Sequence, residues 1–132
     1  MSNGGGILII ELDPHTGLDH WWIYDYFPQV IDIDKQRYPS AISLRRSMQE
    51  NGFTSCSTIE ALHMPVKLSA RFALQSGRLE KTSTSQLTVL TDEEYNAGLS
   101  RLMKDIELKE AQNEDLTIGA DLRLYATTAW LR

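Results

Sequence analysis

The chain reads as an α/β protein, three strands and three or four helices arranged around one open sheet. Three observations predict this. Residues 7–12, Ile-Leu-Ile-Ile-Glu-Leu, open with a continuous apolar run, Ile7 to Ile10, behind a glycine cluster, as in a strand buried on both faces. Thr91-Asp92-Glu93-Glu94 opens a stretch with helical apolar spacing. Residues 120–131 alternate side chains as a closing strand does.

The glycine-rich start, Met1 to Gly6, leads into the first strand, and Asp13-Pro14-His15-Thr16-Gly17 ends it with turn residues. The connection over 18–38 has no clean period. It carries Trp21, Trp22, Tyr24, Tyr26 and Phe27, a concentration that reads as a satellite core or the wall of a pocket. A helix is expected over 40–51, where Ser40 follows Pro39 and Ala41, Leu44 and Met48 share a face. Asn51-Gly52 supplies a left-handed stop. Residues 53–61 read as the second strand, because Thr, Ser, Cys and Ile favour extended backbone.

A second helix is expected over 65–78 from the spacing of Leu68, Phe72, Gln75 and Leu79. On that helix Lys67, Arg71 and Arg78 would lie near one face and make it locally positive. The third helix begins at the Thr91 capping box, where three carboxylates complement the helix dipole. Tyr95, Leu99, Leu102 and Ile106 form its apolar stripe, with Lys104 and Lys109 toward its end. Residues 112–116 are a polar turn. In the last strand Leu122, Leu124, Ala126, Thr128 and Trp130 take one face, and Arg123, Tyr125, Thr127, Ala129 and Leu131 take the other. The first strand, helix and second strand form a βαβ-like unit, and the last strand has no crossover of that kind.

Composition sets outer bounds. With 132 residues the chain suits one domain, 1–132, with 63–116 inserted between the last two strands. Its 13 Lys and Arg against 18 Asp and Glu give a net charge of −5, which argues against nucleic-acid binding. The single cysteine, Cys56, excludes an internal disulfide and a cysteine-based metal site. The longest apolar run is far too short to span a bilayer, and no signal-peptide pattern stands at the start, so a cytoplasmic location away from membranes is expected.

Gly4-Gly5-Gly6-Ile7-Leu8-Ile9-Ile10 resembles the Gly-Gly turn and fifth strand of class I S-adenosylmethionine-dependent methyltransferases. Tyr26-Phe27-Pro28, Ile31-Asp32-Ile33-Asp34, Arg37-Tyr38-Pro39-Ser40 and Asn51-Gly52-Phe53 are similar to the small-molecule, type 11-like branch. In that branch a Tyr-Phe-Pro segment precedes a helix that ends in Gly-Phe before the sixth strand. Residues 121–131 resemble the antiparallel seventh strand. The resemblance spans nearly the whole chain and implies a partial Rossmann-like sheet, with strands equivalent to 5-7-6 and the last one antiparallel.

It also implies S-adenosylmethionine chemistry with the cofactor site outside this chain. No Gly-x-Gly-x-Gly follows a strand, and Gly4-Gly5-Gly6 precedes one, whereas a nucleotide-cradling loop follows a strand and opens a helix. No cofactor-binding residue is therefore expected here, and the chain alone is expected to be inactive. A fifth strand without its fourth-strand neighbour presents unpaired N–H and C=O groups. The expected partner at that edge is a second copy or a separate N-terminal half. The competing reading is a non-enzymatic interaction module, or split-gene remnant, that pairs through the same edge.

His15, beside Asp13 and Asp19 after the first strand, is the candidate base near neutral pH; the alternative is a solvated turn histidine. Trp21, Trp22, Tyr24 and Tyr26 are candidate substrate-binding residues, since the resemblance places this connection in the acceptor cap; they equally suit packing over the sheet or an oligomer contact. Lys67, Arg71 and Arg78 are candidates for an anionic substrate, against a solvated helix face. Cys56 and His63 share no nucleophile motif, and His15, His20 and His63 lack zinc-type spacing, so no metal is expected.

Overall fold

The computed structural model describes residues 4–131; Met1, Ser2, Asn3 and Arg132 lie outside the described residues, including the first half of the glycine-rich start. The elements are strands β1 (Gly6–Glu11), β2 (His20–Trp21), β3 (Phe53–Ser69) and β4 (Thr117–Leu131), with helices α1 (Trp22–Tyr26), α2 (Gln29–Arg37), α3 (Ala41–Glu50), α4 (Ala70–Gln75), α5 (Ser85–Thr88) and α6 (Asp92–Ala111). A 3-10 turn, Pro14–Thr16, follows β1. The fold is mixed α/β with an open, antiparallel four-stranded sheet in which β4 pairs with every other strand. The chain forms two compact units, one of residues 1–19, 35–64 and 122–132, the other of residues 20–34 and 65–121.

In the first unit β1 runs antiparallel to β4, from Gly6 opposite Trp130 to Glu11 opposite Tyr125. Three side-chain bonds give the direction of β3: Thr54 to the Trp130 carbonyl, Ser57 to Thr128, and Thr58 to Thr127. As numbers rise in β3 they fall in β4, so these strands are antiparallel too. β1 and β3 are therefore parallel to each other, with β4 between them. Ser40 caps α3 by accepting from the Ser43 N–H at 3.1 Å, and Gly52, at φ +88°, turns the chain into β3 as only glycine does without strain.

Burial on both faces of the first strand, expected from its apolar run, is not found. Leu8 is 58% exposed and Ile10 56%. Among the described residues β1 has one sheet neighbour, β4, so its other edge carries no ladder.

The second unit holds most of the buried apolar residues. One cluster gathers Ala70, Ala73, Leu79, Leu102, Ile106 and Ile118; the other gathers Ile23, Phe27, Val30, Leu87 and Leu90. The aperiodic aromatic connection proves to be β2 and two helices. Its Ile23, Phe27 and Val30 are buried, and Trp21, Trp22, Tyr24 and Tyr26 pack around them. The helix expected over 65–78 is corrected. Residues 65–69 continue β3, and the helix is confined to Ala70–Gln75. Ser69 starts it by accepting from the Phe72 N–H at 3.3 Å, and the Ala70 N–H bonds the Leu116 carbonyl at 2.8 Å. Sheet pairing with the start of β4 overrides the helical spacing of Leu68 and Phe72, and Phe72 is left 53% exposed.

The capping box of α6 forms as its sequence requires. Glu94 N–H donates to Thr91 Oγ1 at 3.1 Å, and Thr91 N–H donates to Glu94 Oε1 at 2.9 Å. The helix buries Gly98, Leu102 and Ile106.

Candidate functional site

In the first unit, Asp13 is the organising carboxylate. It is buried, and its Oδ1 accepts from the His15 N–H while Oδ2 accepts from the Ala41 N–H, each at 3.0 Å. One carboxylate thus serves the first turns of both the 3-10 turn and α3. The His15 ring is engaged elsewhere: its Nε2 lies 2.8 Å from the Tyr38 carbonyl. Asp19 accepts from the backbone N–H of Arg123 at 3.0 Å and faces its guanidinium at 3.4 Å. Arg123 also reaches Glu60 at 3.0 Å. The two carboxylates flanking His15 in sequence therefore have structural partners of their own. Glu11, at the end of β1, has its carboxyl pushed above the usual range by burial and then by the neighbouring charge of Asp13.

The four aromatic candidates lie in the second unit. Trp21 meets Tyr24 edge-on at 5.4 Å, and Trp22 meets Phe27 edge-on at 6.5 Å. Tyr24 donates its hydroxyl to the buried Asp34 at 2.7 Å. Trp21, Trp22 and Tyr24 serve as a satellite core around Ile23 and Phe27. Tyr26 differs, because it reaches both a core and a groove.

That groove, about 520 Å³, is lined by Asp25, Tyr26, Arg101, Lys104, Asp105 and Leu108. Its geometry follows from helix periodicity: 101, 104, 105 and 108 fall on one face of α6, flanking the buried stripe. Tyr26 donates its hydroxyl to Asp105 Oδ2 at 2.6 Å. Arg101 Nη2 donates to the Tyr26 carbonyl, which it closes on from one turn before Asp105. Burial, and then the hydrogen bond and charge of Asp105, push the Tyr26 phenol up to about 12. Tyr26 is therefore a fixed hydrogen-bond donor at neutral pH, not a base. Adjoining it, a groove of about 280 Å³ shares Asp105 and Leu108.

The positive cluster expected from Lys67, Arg71 and Arg78 does not assemble on one helix. Lys67 is on β3, and Arg71 on α4 forms a two-pronged pair with Glu110, at 2.6 and 3.0 Å. Arg78 lies over the Phe72 ring. Cys56, half-buried on β3, has its Sγ 3.9 Å from the Phe53 carbonyl. Among the described residues no group of His, Cys, Asp and Glu has the geometry of a metal site, and no helix is long and apolar enough to cross a membrane. The sequence reading places Lys104 only toward the end of this helix and does not single out Arg101 or Asp105. The available signal was their spacing with Leu108; the partner, Tyr26, lies 79 positions from Asp105 along the chain.

No protein-family model matches the chain, and no curated protein matches it.

The Gly4-Gly5-Gly6 stretch does not have the form of a nucleotide-cradling loop, which follows a strand and opens a helix. Gly4 and Gly5 precede β1, and Gly6 serves cross-strand packing: a Cβ there would stand 2.6 Å from the Trp130 ring.

Proposed function

We propose that this chain is the C-terminal portion of a small-molecule, S-adenosylmethionine-dependent methyltransferase, contributing acceptor-side structure while the donor site lies outside it. The observation that carries the reading is the strand arrangement, two parallel strands, β1 and β3, with the final strand antiparallel between them. That arrangement supports the 5-7-6 relation which the resemblance to that family implies, in a partial Rossmann-like sheet. The free edge of β1 is where the family's fourth strand pairs. In such enzymes the bound donor supplies an activated methyl group, and the surrounding protein positions the acceptor and excludes water. Tyr26 and the groove beside it are this chain's contribution to acceptor positioning. A cytoplasmic setting suits that role.

The test is a chimera. The chain is joined at Gly4 behind the cofactor half, strands one to four, of a class I small-molecule methyltransferase. A soluble chimera that binds S-adenosylmethionine and slows amide exchange at residues 7–11, relative to the chain alone, is the expected result. Unchanged exchange at those residues overturns the reading. The chain alone is expected to show no heat of binding with S-adenosylmethionine in calorimetry.

A second reading is favoured by the exposure of Leu8 and Ile10: a non-enzymatic interaction module, or split-gene remnant, whose β1 edge pairs with a second copy. Oligomers in light scattering, with residues 7–11 already exchanging slowly in the chain alone, would favour it over the first.

A further inference from the structure

We propose that the groove between α1 and α6 is a binding site for a small organic carboxylate. Asp105, which one helical turn would ordinarily offer to Arg101, instead accepts from the Tyr26 hydroxyl. Arg101 is anchored on the Tyr26 carbonyl, a neutral acceptor. Lys104, one turn along, has no carboxylate within ion-pair distance among the described residues, whereas Lys109 on the same helix is paired with Glu114 at 3.2 Å. Arg101 and Lys104 thus line one groove beside Asp25 and Asp105, with neither cation in an ion pair among the described residues.

The remaining lining selects among anions. Leu108 and the Tyr26 side chain give an apolar side for the body of the ligand. Asp25 and Asp105 at the same groove repel a dianion such as phosphate more strongly than a monoanion. A carboxylate on a small apolar body meets both conditions, with Lys104 as its ion-pair partner and Arg101 beside it. As an acceptor subsite the groove rests on the methyltransferase reading, and it names the acceptor class. As a carboxylate site it is tested on the chain alone, so its failure is distinct from failure of the chimera.

The experiment is an amide-resolved NMR titration of the intact chain with benzoate, benzamide and inorganic phosphate. Saturable shifts with benzoate at residues 25–26 and 101–108, weaker with benzamide and phosphate, are expected. Lys104→Glu should weaken benzoate binding about tenfold, since it reverses a charge at the contact. Lys35→Glu, an exposed change on α2 outside the groove, should leave it unchanged and controls for net charge. The site is overturned by absence of benzoate shifts, by shifts centred elsewhere, by equal response to benzamide, by equal or stronger phosphate binding, or by equal losses in both variants.

Discussion

At the level of single residues, two positions in the second unit, Gly98 and Tyr26, decide more than their sequence neighbours suggest. Gly98 stands mid-helix, where glycine ordinarily weakens a helix by about 1 kcal/mol relative to alanine. It is required by close approach: a Cβ there would collide with the Phe27 ring and stand 2.6 Å from the Tyr26 carbonyl oxygen. Gly98→Ala is therefore expected to destabilise the protein by about 1–3 kcal/mol in urea unfolding, against its helix propensity, because overpacking outweighs the propensity gain. Tyr26 links stability to alkaline pH. Its phenol is raised from an ordinary value of 10.0 to about 12, so the folded state favours the protonated form. The contribution is fully present below pH 10 and is lost as pH rises through 12. Thermal melts between pH 9 and pH 12 should show this loss, and Tyr26→Phe should make the decline shallower while costing about 1 kcal/mol at neutral pH from the lost hydrogen bond.

Among the elements, α6 was the most legible because its start is local chemistry. Thr91 and Glu94 exchange the two capping hydrogen bonds, and the carboxylates between them complement the helix dipole, all within the first turn. Thr91→Ala should cost about 1 kcal/mol in denaturant unfolding, with loss of amide protection concentrated at the first turn of α6. α3 was legible for the same reason, with Ser40 at its start and Gly52 after its end. The apolar spacing of 65–69 is compatible with a helix, while its extended state depends on pairing with a strand about 50 residues away. The connection over 18–38 shows no clean period because its helices, α1 and α2, are short. Their burial comes from Leu87, Leu90 and Tyr95, all distant in sequence.

For the molecule as a whole, β1 leaves apolar side chains exposed beside an edge that carries no ladder among the described residues. Its edge has no proline, lysine or bulge to discourage pairing, and Leu8, Ile10 and Trp130 are more than half exposed. Leu8→Lys should lower the light-scattering mass of the isolated chain while leaving its far-ultraviolet circular dichroism unchanged; an unchanged mass would remove β1 from any self-association. Composition, the two capped helices, the closing strand and the apolar first strand were determined by sequence alone, since each depends on bonds or periodicity within a few residues. How far β3 extends, that β2 joins the sheet, and that Tyr26 meets Asp105 and Arg101 were decided only by tertiary structure. Those outcomes turn on contacts between residues far apart in the chain, whose partners no local pattern identifies.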